Sequence, residues 1–339
     1  MRFTNVVLIL ALVSPGQAMA QACALQPVAE ADLAPLFRGH GVMVDAARTA
    51  LAFRSPLERD EDGMPTAYHR GRPGIGDVGS DPGADHICAG ADVLEMVSKT
   101  VNGRVTQALV SKYGKHGSVG DLRRDGGHAL QCKADYIKLR DAGFPSCGPQ
   151  QALCMRWYGV KAKYRSCGYD RPKQNCGVPI RQRDVRGDET DYYVTTNILR
   201  RPGSDRDSDV QADYADASTI PFIVLPDGVA LPAAMRSGAG DYAAVVVDGR
   251  VAFALVGDSG PSYGLGEASR ALLGKFGVSS VGVSPGAFTV LFPGSSNYAD
   301  RAWPIDPASI ESEGITRLQA LFGGSPAQAL AKLKQCAAS

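Results

Sequence analysis

No two cysteines in this 339-residue sequence stand in C-x-x-C spacing, and its five histidines are scattered. That excludes the compact zinc sites, which need closely spaced Cys and His ligands. An excess of one charge is also missing, since 36 Lys and Arg face 35 Asp and Glu. Without a net field the chain has no general attraction for nucleic acid or an anionic membrane surface. The apolar run Val6 to Val13 is too short to span a bilayer, and no other stretch comes close. The acidic turn at Asp60, Asp62 and Gly63 lacks the bidentate Glu that an EF-hand loop places downstream. No metal and no cofactor is expected.

What is present begins with a leader. Arg2 supplies a positive start, Val6 to Val13 an apolar centre, and Ala18-Met19-Ala20 a small-residue cleavage pattern. A signal peptide over 1–20, cut after Ala20, implies a secreted or periplasmic protein. All eight cysteines follow that cut, and in an exported chain they read as up to four disulfides. Connectivity stays open among about 105 pairings, although Cys23 and Cys336 stand where a bond would staple the two ends. Charge is unevenly spread: Arg186 to Ile315 carries 17 acidic and 9 basic residues, which suits a cationic partner.

Composition divides the remainder into an N-terminal region, 21–185, and a second region, 186–339. In the first, helices are expected around Ala29 to Phe37, Ala91 to Val101 and Cys132 to Ala142, with loops over His69 to Asp85 and Ser111 to Gly127. Five cysteines between Cys132 and Cys176 predict a loop-rich, disulfide-stapled insertion. Its Trp157, Tyr158, Tyr164 and Tyr169 are candidates for stacking on sugar rings or for packing against the disulfides. Arg181 to Asp191 reads as a linker. Tyr192 to Leu199, Ile220 to Pro226, Tyr242 to Val247, Arg250 to Val256 and Phe288 to Phe292 read as strands. Asp248-Gly249 marks a hairpin turn, and Ala327 to Gln335 a helix.

The stretch Val251 to Gly277 carries the chemistry. A buried strand emerges at Asp258, a turn Ser259-Gly260-Pro261 and a Gly-rich loop follow, and Glu267 stands nine residues on, where a helix is expected to start. Two carboxylates converging on a strand end is the arrangement that glycosidic bond cleavage requires. Burial at the strand end would keep Asp258 protonated, and a helix N-terminus would favour the Glu267 anion.

These residues also resemble a known family. Asp258, Gly260, Pro261, Leu265, Gly266, Glu267 and Ser269 fit the D-x-G-P…I-G-E-x-S motif of the fungal-type endo-chitosanases, glycoside hydrolase family 75. Glu58, Asp60, Asp62 and Gly63 are similar to its acidic D-x-D-G segment. Tyr192 to Thr196, Tyr214 to Pro226 and Phe292 to Ser295 resemble further family runs, whereas the Cys-rich stretch does not. The resemblance implies an endo-acting, inverting hydrolase of β-1,4-linked glucosamine with Asp258 and Glu267 as its acid–base pair, and the two environments favour Asp258 as general acid and Glu267 as general base. It further implies that Asp60, Asp62, Thr195, Thr196, Asp216, Asp241, Ser259 and Tyr263 meet the substrate.

The expected fold is mostly β within the α+β class: a six-stranded barrel, similar to double-psi barrels, with a few helices and a disulfide-rich insertion. The expected partner is a polysaccharide, with no nucleic acid, no membrane and a monomeric chain. A hydrolase of peptidoglycan or another amino-sugar polymer, and a non-catalytic glycan-binding envelope protein, are the alternatives.

Overall fold

The structure, a computed structural model, describes residues 23–71, 87–113, 126–148, 150–165, 167, 176–205, 208–226, 235, 237–260, 264–278 and 283–339. The expected leader with its cut after Ala20, most of the expected loops at 69–85 and 111–127, and Tyr263 lie outside the described residues.

In chain order the strands are β1 (Leu25–Pro27), β2 (Met43–Asp45), β3 (Leu51–Asp60), β4 (Ala91–Val101), β5 (Arg104–Ser111), β6 (Leu153–Trp157), β7 (Ala162–Arg165) and β8 (Cys176–Pro179). There follow β9 (Arg181–Arg183), β10 (Glu189–Tyr193), β11 (Phe222–Pro226), β12 (Tyr242–Val247), β13 (Arg250–Gly260), β14 (Glu267–Ser269) and β15 (Val283–Phe292). The α-helices are α1 (Ile87–Gly90), α2 (Gly126–Asp141), α3 (Arg270–Lys275), α4 (Pro307–Phe322) and α5 (Pro326–Ala338).

Six strands close a barrel in the order β3-β14-β11-β13-β12-β15, and β15 pairs back onto β3. The contacts β14–β3 and β11–β13 are parallel and the other four antiparallel, so the barrel is mixed. The expected boundary at 186 does not bound it, since β3 supplies one wall from far upstream. β1 and β2 extend the sheet beyond β3.

Side-chain alternation explains the barrel's two faces. On β12 and β13, Ala243, Val245, Val247, Ala252, Ala254 and Val256 fill the interior with Leu51, Phe53 and Leu291. The alternate residues Tyr242, Ala244, Val246, Phe253 and Leu255 face outward and meet Ile310, Leu318, Phe322 and Leu333 of α4 and α5. Both faces are covered, so these strands read as continuous apolar runs. The hairpin between them turns at Asp248 (φ 48°) and Gly249 (φ 71°), both left-handed as a type I′ turn requires. The C-terminal helices are well capped: Asp306 accepts from Ala308 N–H ahead of Pro307, and Ser325 with Gln328 forms a capping box.

The insertion is a five-stranded sheet, β5-β4-β6-β8-β7, with α2 packed on it. It is thus more regular than the loop-rich unit its cysteines suggest. Ala91 to Val101 is a strand, not a helix. Asn102 and Gly103, both at positive φ, turn it into β5. Around Ala29 to Phe37 the chain makes two 3-10 turns, Glu30–Asp32 and Pro35–Phe37, because Pro35 cannot continue a helix. The expected linker contains β9 and leads into β10. The strand expected over Tyr192 to Leu199 ends at Tyr193. Trp157 is buried between the insertion and the barrel's outer wall, its Nε1–H donating to Gly177 O at 2.9 Å, so it packs rather than faces a sugar. The side chains of Tyr164 and Tyr169 lie outside the description.

Disulfides join Cys147 to Cys154, Cys167 to Cys176 and Cys23 to Cys336, and Cys132 is also bonded. Among the described residues no cysteine is free, and no helix is long and apolar enough to cross a membrane. The Cys23–Cys336 bond closes a separation of 313 residues, so its loss should free much unfolded-state entropy. Replacing both with Ser is expected to lower the unfolding free energy by about 2–4 kcal/mol, measured by denaturant titration. An unchanged midpoint would show that the bond does not constrain the unfolded chain.

Candidate active site

The site begins with an irregularity in β13. Ile223 opposes Val256, but Val224 opposes Asp258, leaving Gly257 unpaired as a bulge. Ile223 and Val256 both face the barrel interior, whereas Val224 lies in the core between barrel and insertion. The extra residue therefore turns Asp258 out of the interior onto the outer wall. Glycine is needed at 257 because a Cβ there would overlap the buried Phe222 ring.

Strand pairing brings the other carboxylates to the same wall. In the parallel β14–β3 contact, Glu267 opposes Glu58 and Ser269 opposes Asp60. Leu57 and Ala268 point inward, so Glu58, Asp60 and Glu267 point outward. Glu267 extends toward β13, and a Cβ at Gly260 would stand 2.5 Å from its Oε2. Asp258 and Gly260 are two residues apart on one strand, a step of about 6.7 Å.

Asp62 joins from the loop after β3. Its N–H donates to Asp60 Oδ1 at 2.8 Å, and its own Oδ1 accepts from the Tyr68 hydroxyl at 2.5 Å. The loop is held from below: Gly63 N–H donates to Thr195 Oγ1 at 2.8 Å, and Asn197 Nδ2 donates to Asp62 O at 3.2 Å. The insertion presses on it at Gly159, where a Cβ would overlap the Asp62 carboxylate. Carboxylate oxygens of Asp60, Asp62 and Asp258 all lie within 4.8 Å of one another. Acidic side chains thus converge where the barrel wall meets the insertion, and the crevice between the two is acidic there.

This crowding, together with burial, raises every one of these acids. Desolvation pushes Asp258 well above the usual carboxylate range, and Asp62 and Glu267 push it further, against hydrogen bonds from Ser259 and Ile198 N–H. Asp60 is likewise raised well above that range by burial and then by Asp62, Asp258 and Glu267. Glu267 is raised to about 7 by burial, Asp62 and Glu58. Burial lifts Asp62 to about 6 although the Tyr68 hydrogen bond opposes it. Glu267 therefore differs from expectation. It sits in β14, the cap of α3 is Ser269, and no helix N-terminus holds it as an anion.

The remaining expected contacts are distributed differently. Thr195 is buried and serves the Asp62 loop, and Thr196 N–H donates to Gly159 O at 2.9 Å. Asp216 caps its own turn through Ser218 N–H at 2.8 Å and lines a separate cleft of 1080 Å³. Asp241 is 2% exposed, and its oxygens accept from Ser237, Gly238, Gly294 and Ser296, so it pins loops inside the fold and does not reach a substrate. Ser259 is exposed beside Asp258, its N–H donating to Asp258 Oδ1 at 2.7 Å. Tyr68 belongs to the site but was not singled out. Its place six residues after Asp62 carries no motif, and only the returning loop makes them neighbours. The Asp60, Asp62 and Asp258 oxygens lie close together and bring no His or Cys with them, unlike a structural zinc site.

Raised acids bind protons more tightly in the folded than in the unfolded chain. Stability contributed by this neutral form is present at low pH and is lost as pH rises through about 4.5 to 7, the window set by Glu267. Glu267→Gln should remove that part of the slope, so the variant gains on the parent between pH 4.5 and 7.5 in urea denaturation. Parallel stability curves for the two proteins would contradict the burial of this carboxyl.

No family model matches the chain and no curated protein matches it, so what this site can do follows from its own side chains.

Proposed function

We propose that the acidic crevice is the active site of an exported, inverting endo-glycosidase that cleaves β-1,4-linked glucosamine in chitosan. The observation that carries this reading is the placing of Asp258 and Glu267 on one outer wall, with the Glu267 carboxyl over Gly260, two residues along β13 from Asp258. An inverting pair needs its carboxyls roughly 6.5–9.5 Å apart to admit a water, and the two side chains rise from neighbouring points of this wall.

The two environments support a division of labour. Asp258, pushed well above the usual carboxylate range by burial, is the group suited to give a proton to the glycosidic oxygen as the bond to C1 breaks. Glu267, raised only to about 7, ionises near neutrality and takes the proton of the water that attacks C1 from the opposite face. The burial of Glu267 in β14 makes it a responsive base, in place of the helix-dipole argument. The acidic crevice suits a polymer that carries an ammonium on each sugar, and the disulfides suit an oxidising compartment.

Purified protein incubated with chitosan, chitin and peptidoglycan should release short oligomers from chitosan, first with inverted anomeric configuration by proton NMR. Asp258→Asn and Glu267→Gln should each lower turnover by about 10²–10⁴-fold, with the double variant no worse than the poorer single one. The acid limb of the pH–rate profile should rise through about 7 as Glu267 ionises. Full activity in either single variant, with loss of melting temperature instead, would assign that residue to the scaffold.

A further inference from the structure

Asp60 has one carboxylate oxygen whose position the proposed chemistry leaves unused. Oδ1 accepts the Asp62 N–H at 2.8 Å, which fixes the carboxyl plane at the end of β3. Oδ2 is buried and has no hydrogen-bond partner. A buried carboxylate oxygen without a donor is costly as an anion. Its surroundings offer no cationic relief from the described contacts: Arg59 pairs with Glu61 at 3.3 Å, and Arg270 reaches Met64 Sδ at 3.9 Å. The groups that face Asp60 are Asp62 from its own loop, Asp258 from β13 and Glu267 from β14. Asp62 is already served by the Tyr68 hydroxyl. Glu267 is turned toward Gly260 and is also acted on by Glu58. Asp62 and Asp258 each bring a carboxylate oxygen within 4.8 Å of one of Asp60's, and since Asp62 accepts the Tyr68 hydroxyl, Asp258 is the group left to share what Asp60 lacks.

We propose that Asp60 and Asp258 hold one proton between them, directly or through a bridging water, so that Asp60 is the positioning partner that keeps the acid of the proposed hydrolysis loaded. The role of the pair in catalysis rests on the glycosidase reading, whereas the shared proton does not. Two like charges that share a site cannot both ionise, and the last proton is then retained to higher pH. Asp60 itself touches neither the leaving oxygen nor the attacking water in this scheme.

Asp60→Asn keeps an oxygen to accept the Asp62 N–H but removes the second charge. The test has two independent readouts. In carbon-13 NMR of the carboxyl groups, the Asp258 signal is identified by its absence in Asp258→Asn. In the parent it should titrate in two steps. In Asp60→Asn it should titrate in a single step, at least about one pH unit below the upper parent step, a change of about tenfold in proton affinity. In the pH–rate profile on chitosan, whatever the variant's overall rate, its alkaline limb should move down by the same amount. A signal that titrates identically in parent and variant overturns the shared proton. A uniform loss of rate at every pH, with the limb unmoved, assigns Asp60 a scaffold role and overturns the positioning role. A shifted titration in a protein that cleaves none of the three polymers leaves the proton shared and removes the glycosidase reading instead. Should Asp60→Asn melt well below the parent, Asp60→Glu, which restores the charge, should return the two-step titration.

Discussion

Mutual repulsion among half-buried acids is the constraint on which this structure depends. Two unit charges about 4 Å apart near a protein surface repel by about 4 kcal/mol, and here Asp60, Asp62, Asp258 and Glu267 share one crevice. Each is fixed by something that does not neutralise it: a strand, a bulge, a backbone N–H or a tyrosine hydroxyl. Burial and this repulsion together raise the hold of the four groups on their protons.

Holding them requires parts from the whole chain. β3 brings Glu58 and Asp60, the loop behind it brings Asp62, β13 brings Asp258 and β14 brings Glu267. The insertion is the opposing wall. Its Gly159 leaves room for nothing but the Asp62 carboxylate, and its core of Trp157, Tyr136 and Met155 packs on Phe222 and Val224 of the barrel. The segment that looked like an elaboration is therefore built into the crevice.

Legibility followed the physics of each signal. The hairpin at Asp248-Gly249, the apolar runs of β11 to β13 and the closing Cys23–Cys336 bond were readable because local pattern and position decide them. Ala91 to Val101 was misjudged because its apolar residues fit a helical window, whereas Asn102-Gly103, a hairpin signal in plain view, decides its pairing with β5. Helix α4 was overlooked, although Asp306-Pro307 and Gly323 punctuate both its ends. Asp258 and Glu267 could be named from their spacing. That Asp258 faces outward could not, since the face depends on one unpaired residue against a distant strand. Asp241 looked like part of the site for the same reason: sequence shows a carboxylate but not the four donors around it.

The closure of the barrel also sets an order of events. β3 finds its partners in β14 and β15, more than 200 residues later in the chain. Only the short strand β2 can pair with β3 early in synthesis; the barrel contacts wait until most of the polypeptide exists, and the Cys23–Cys336 bond cannot form before the last helix. Contacts of such sequence separation assemble slowly. A chain that cannot finish its barrel early also keeps the carboxylates of β3, β13 and β14 apart until its C-terminal third has been made.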